Sequence, residues 1–168
     1  AGVAIDASGN VFVADASNYR IRKVTPGGTV STLAGSGTAA FADGTGAAAS
    51  FNNSSGVAVD ASGNVIVADE FNNRIRIMTP GGVVSTLAGG SLGFADGVGT
   101  GASFFNPTGV AVDASGNVIV ADFRNNRIRK LTCAAGTFSP TGVCCCTPCP
   151  SGTYGGTAAL TASTCTGP

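Results

Sequence analysis

Residues 56–69 read GVAVDASGNVIVAD, and residues 109–122 repeat that stretch without a difference. Residues 2–15, GVAIDASGNVFVAD, depart from it at two positions. Gly2, Gly56 and Gly109, which open the three copies, are 54 and 53 residues apart. More matches follow in register: NYRIRKVTPGGTVSTLAG at 18–35, NNRIRIMTPGGVVSTLAG at 72–89 and NNRIRKLT at 125–132. A looser element also recurs, FADGTGAAASFNN at 41–53 against FADGVGTGASFFN at 94–106. A fixed period of this kind marks an array of supersecondary units that bury their faces against one another.

Each unit divides into four short strands separated by turn signals. In the second unit the spacing predicts strands over Gly56–Asp60, Val65–Asp69, Arg74–Thr79 and Val83–Ala88. The intervening turns are Ala61-Ser62-Gly63-Asn64, Asn72-Asn73 and Pro80-Gly81-Gly82. The first two strands are small or apolar on both faces, as strands covered on both sides are. The third alternates Ile75 and Ile77 with Arg74 and Arg76, which predicts a position further out. Such an inner-to-outer gradient suits antiparallel sheets stacked radially about an axis.

The pattern G-V-A-V-D, G-N-V-x-V-A-D, N-R-I-R resembles the NHL repeat, a β-propeller blade. The resemblance covers residues 1–132 and implies an all-β fold of about three four-stranded antiparallel blades. The units run over about 1–55, 56–108 and 109–132, and the third meets Cys133 where its fourth strand is due. The long FADGTG linker is similar to that of NHL arrays in large secreted or cell-surface proteins.

Residues 133–168 are a different text, with all six cysteines: Cys133, Cys144, Cys145, Cys146, Cys149 and Cys165. The phrases CAAGTF and CPSGTY resemble small Cys-rich repeats of extracellular proteins, in the style of ephrin-receptor-like modules. So little apolar content calls for covalent staples, and three disulfides are expected, with fifteen pairings open. Zinc on Cys146-x-x-Cys149 is the alternative. An extracellular or cell-surface location follows from the oxidised reading.

Composition narrows the function classes. Nine basic residues balance nine acidic ones and His is absent. A nucleic-acid partner is therefore not expected, and no apolar run is long enough for membrane insertion. Some NHL propellers are lyases using metal-bound His, and that resemblance fails here at every position. No enzyme activity, metal or cofactor is expected. The recurrent carboxylates Asp6, Asp60, Asp113, Asp15, Asp69 and Asp122 are read as turn acceptors, since a residue present in every repeat serves the repeat. Calcium ligation or paired catalysis is the competing reading. The Arg20/Arg22, Arg74/Arg76 and Arg127/Arg129 pairs form either a basic belt for RNA or partners of those carboxylates, and zero net charge favours the second.

Asn52-Asn53-Ser54 and Asn53-Ser54-Ser55 are overlapping N-glycosylation sequons in a long loop, where an acceptor is expected to be exposed. The function expected is structural or protein-interacting, within a larger assembly or filament. The partners expected are copies of the chain or further blades of the same gene product, with glycans as a modification. A ligand-binding ectodomain propeller is the alternative.

Overall fold

The computed structural model describes residues 1–131, together with the backbone of two short strands in the tail, Thr137–Phe138 and Thr147–Pro148. The first sheet joins β1 (Val3–Ile5), β2 (Val11–Asp15), β3 (Arg20–Val24) and β4 (Val30–Ala34) in sequence order. The second contains β5 (Gly44–Thr45), β6 (Ser54–Val59), β7 (Val65–Asp69), β8 (Arg74–Met78) and β9 (Val83–Gly89) in the order β5-β9-β8-β7-β6. A small parallel pair, β10 (Ser91–Leu92) and β11 (Ser103–Phe104), precedes the third sheet. That sheet holds β12 (Pro107–Val112), β13 (Val118–Asp122) and β14 (Arg127–Leu131). All pairings within these three blade sheets are antiparallel, as hairpin-linked strands require.

The hairpin chemistry is local. Asp60 Oδ1 accepts the amides of Ser62 and Asn64, both at 2.8 Å, and closes the β6–β7 turn. A single 3-10 turn over Glu70–Asn72 joins β7 to β8, and Asn73 leaves it with a positive φ of 54°. Asn tolerates that left-handed backbone better than other side chains, which explains its recurrence there. Tyr19 takes the same conformation in the first blade.

The period-two alternation of β7 sends its side chains into two separate cores. Val65 and Val67 face the first blade and pack with Phe12, Ala14, Ile21 and Phe51. Ile66 and Ala68 face the third and pack with Phe104, Val118 and Val120. Among the described residues each core therefore lies between blades.

The innermost strands β1, β6 and β12 run side by side, and glycine permits the approach. A Cβ on Gly56 would collide with the Thr108 carbonyl, and one on Gly2 would lie 2.8 Å from the Ser55 carbonyl. Ser55 Oγ also donates to the Thr108 carbonyl at 3.0 Å.

Three details depart from the expectation. Strand one begins earlier, at Ser54, and ends at Val59, because Ser54 already pairs with Asp69 across a bulge. An extra edge strand, β5, pairs with β9 through Gly44 and Thr45, and the long loop supplies it. Arg76 is not in an outer, solvated row but has 0% exposure, because that loop folds over it. The third blade has three strands among the described residues.

Candidate functional site

The charged residues that recur in every unit form two clusters per blade. The first is the β-hairpin turn already described. Asp6 and Asp113 repeat the Asp60 geometry: Asp6 Oδ1 accepts from Ser8 and Asn10, and Asp113 Oδ1 accepts from Ser115 and Asn117, all at 2.8–2.9 Å. The amide side chain of Asn10, Asn64 or Asn117 then closes on the second oxygen. Donors aimed at the ionised form stabilise it. The Asn117 side chain and backbone hold the Asp113 carboxyl at about 2, and the Asn10 side chain likewise lowers Asp6. Each of these carboxylates is occupied by its own turn.

The second cluster joins three elements. Asp69, at the end of β7, accepts the Asn52 amide at 2.8 Å and the Asn72 side chain at 2.9 Å. Its backbone partner comes from the incoming loop, seventeen residues earlier, and not from the turn that follows. Arg76 on β8 bonds Asp69 at 2.7 Å, Asp43 at 2.6 Å and the Ala42 and Ser50 carbonyls at 2.7 and 3.2 Å. Its guanidinium lies 4.9 Å from the Phe41 ring centre and 5.3 Å from that of Phe51, within reach of cation–π attraction. Burial pushes the Asp69 carboxyl up, against the pull of Asn52, Asn72 and Arg76. Arg74 stacks on the outer side of Phe41 at 3.7 Å.

The third blade repeats the arrangement. Arg129 bonds Asp122 at 3.0 Å, Asp96 at 2.7 Å and the Ala95 and Ser103 carbonyls, between Phe94 and Phe104. The Phe105 amide and the Asn125 side chain complete Asp122. Arg127 stacks on Phe94 at 3.9 Å. In the first blade Arg22 meets Asp15 at 3.3 Å, with both side chains part-exposed, while Asn18 donates to Asp15 and Arg20 bonds the Asn18 carbonyl.

The Asp69–Arg76 and Asp122–Arg129 pairs are internally neutralised, hydrogen-bonded to backbone and shielded by rings, and each fixes its long loop against the blade. Among the described residues no group of three or more His, Cys, Asp or Glu is placed to hold a metal. The arginines divide by position: Arg22, Arg76 and Arg129 point at carboxylates, the reading favoured over a basic belt, while Arg74 and Arg127 cover phenylalanines.

Sequence reasoning did not assign Asp43 and Asp96, nor the aromatic pairs around the Arg76 and Arg129 guanidinium groups. The signal was present, since Asp43 and Asp96 recur at the same 53-residue offset as Arg76 and Arg129.

Asn52 and Asn53 are half-buried, not exposed as expected, because the loop docks on β7 and the turn after it. The Asn52 carbonyl accepts the Phe71 amide, and Asn53 Nδ2 donates to Glu70 at 3.3 Å. Ser54, the hydroxyl residue of the first sequon, is fully buried. The six tail cysteines, and with them the zinc alternative, lie outside the described residues.

Residues 51–78 and 104–131 match the family described as NHL repeat. The chain is 36% identical over 91 residues to the protein Suppressor of Quenching 1, chloroplastic, of Arabidopsis thaliana. That match takes in 53% of this chain and 9% of the plant protein, so the chain spans only a small part of this curated relative. An auxiliary nutrient binding protein from Bacteroides thetaiotaomicron superposes with a TM-score of 0.68 at 24% identity, over 76% of this chain and 36% of that one. Virginiamycin B lyase from Staphylococcus aureus gives a TM-score of 0.52 at 15% identity, over 78% and 37%. Binding proteins and enzymes thus share the blade fold, and these likenesses carry the fold alone.

Proposed function

We propose that these NHL repeats form a non-catalytic structural and protein-interaction module, working outside the cell as part of a larger assembly. The observation that supports it most is where the charge and the apolar surface lie. The buried Asp–Arg clusters are spent on holding the blades together. Apolar side chains stand open on the two outer blade faces: Val3 and Ile5 are 66% and 67% exposed and Ile128 is 74% exposed. The equivalents of Val3 and Ile128 in the second blade, Val57 and Ile75, are 7% and 0% exposed, because a neighbouring blade covers each. A blade face is built to be covered. Its partner is a further blade, from the same polypeptide or from a second copy.

Light scattering of the chain beside an Ile5→Asp/Ile128→Asp variant tests the interaction. The variant should associate at least tenfold more weakly while its β-sheet circular dichroism is unchanged. Equal association by both proteins would remove the blade faces as the interaction surface. The extracellular part of the reading rests on the cysteine-dense tail and is tested by thiol labelling under non-reducing conditions. All six cysteines should be blocked; two or more free thiols, or stoichiometric zinc, would contradict it.

A further inference from the structure

Residues 56–76 and 109–129 differ at two positions only, and both lie in one turn. Glu70-Phe71 stands in the second unit where Phe123-Arg124 stands in the third and Ala16-Ser17 in the first. Charge, size and polarity all change at this pair, while the Asp before it and the Asn after it stay constant.

Each pair opens the 3-10 turn that links the second and third strands of its blade. Antiparallel hairpins place that turn at the same end of every blade, so the three pairs share one end of the array. The turn backbone is pinned without help from the variable side chains. Asp15, Asp69 and Asp122 accept from the Asn18, Asn72 and Asn125 side chains, each at 2.9 Å. The Phe71 and Arg124 amides bond the Asn52 and Phe105 carbonyls at 3.1 and 3.0 Å.

The variable side chains themselves face outward. Phe71 and Phe123 are 54% and 61% exposed. Arg124 is exposed too, and its contact is the Phe105 ring at 5.8 Å, with no carboxylate beside it among the described residues. Glu70 accepts from the Asn53 and Asn106 amides at 3.3 and 3.4 Å, and these neutral donors leave its charge uncompensated. A solvated turn under no other demand keeps small or polar residues, as Ala16-Ser17 does. Exposed rings beside an unmatched acid and an unmatched base are instead the makings of a recognition surface. A constant scaffold with variable outward residues is how repeat arrays present one.

We infer that these turns dock an extended segment of a partner protein. The segment carries a basic residue for Glu70, apolar residues for Phe71 and Phe123, and an acidic residue for Arg124. The inference rests on the interaction-module reading and gives it a surface apart from the blade faces. Facing sheets stack about 10 Å apart, a distance that an extended chain crosses in about three residues. Opposite charges on neighbouring blades set the direction in which the segment lies. A nucleic acid would bring its phosphates against Glu70, and a neutral polysaccharide would leave both charges unmatched.

The test uses the intact 168-residue protein, isotope-labelled and below the concentration at which it associates. It is titrated with synthetic peptides Gly-Gly-X-Val-Leu-Z-Gly-Gly, where X and Z are Lys and Asp in either order, both Lys, or both Asp. One mixed-charge peptide should shift the amide resonances of residues 70–73 and 123–126, with those of the Asp60 and Asp113 turns unmoved. Glu70→Gln, which keeps an acceptor for Asn53 and Asn106, should weaken that peptide about tenfold or more, as should Phe123→Ser. Neither should lower the melting temperature. Arg124→Glu should move the preference to the peptide with Lys at both positions. No shift from any peptide at millimolar concentration, or equal shifts from all four, would overturn the inference. Shifts from cellohexaose or oligouridylate in place of a peptide would also overturn it and name the other occupant. Self-association without a peptide shift would sink this inference alone. Peptide binding without self-association would sink only the blade-face reading.

Discussion

Arg76 and Arg22 occupy the same position in consecutive repeats, and the energetic consequences of removing them should differ widely. Arg76 is fully buried between two phenylalanine rings and shares Asp69, which has no exposed side-chain surface either. Truncation by Arg76→Ala strands a buried carboxylate, for which a loss of about 3–5 kcal/mol is expected. Arg22 and Asp15 remain 31% and 25% exposed at 3.3 Å, so Arg22→Ala should cost about 1 kcal/mol or less. Urea unfolding of the two variants checks the contrast, and equal losses would contradict it. The turn carboxylates give a second expectation. The folded Asp113 value, about 2, lies below its ordinary 3.8, so its contribution to stability is complete above the ordinary value. That contribution fades as pH falls from there through about 2. A carboxyl-carbon titration should show that midpoint, and Asn117→Ala should move it up toward the ordinary carboxylate range. At the sequons, the Asn53 amide is engaged with Glu70, so any glycan on the native protein should sit on Asn52. Peptide mapping across Phe51–Gly56 that found it on Asn53 would refute this.

The strands themselves were legible from the repeat, because turn residues such as Asp60 and Gly63 are spaced by local geometry that the sequence states directly. Val65–Asp69 was placed to the residue for this reason. The early start of β6 was not, since it depends on Ser54 meeting Asp69 across a bulge, which is a register and not a propensity. Likewise β5 has only two residues and pairs with a strand some forty positions later. Arg76 was misplaced by the same blindness: alternation with isoleucine reads as a solvated face unless the distant loop that covers it is known. The recurrent FADG element held the missing information, because it kept pace with the arginines. Packing at the inner edge yields a further prediction. Gly56→Ala drives a methyl against the backbone of the next blade, and overpacking of that kind costs about 1–3 kcal/mol. Thermal unfolding should report it. Gly81→Ala, at an open turn where a Cβ meets only Thr79 Oγ1 at 3.8 Å, should change stability little.

For the whole molecule, the repeat announces that cores lie between units, and the structure shows two of them: one between the first and second blades, one between the second and third. What covers the outer faces is not written in the repeat, because a repeated surface fits any other copy of itself equally well. The same holds for β14, the last strand of the third sheet among the described residues, where the text changes to a cysteine-rich one before a fourth strand is spelled out. At roughly 25 cal/mol for each Å² of apolar surface, leaving such faces wet forgoes stabilisation comparable with that of a whole domain. Association is the expected outcome. The most direct measurement is sedimentation of the purified 168-residue chain, disulfides intact, across micromolar concentrations. The account predicts species heavier than the 16.3 kDa monomer, growing with concentration. A folded, soluble and monodisperse monomer throughout that range would contradict it.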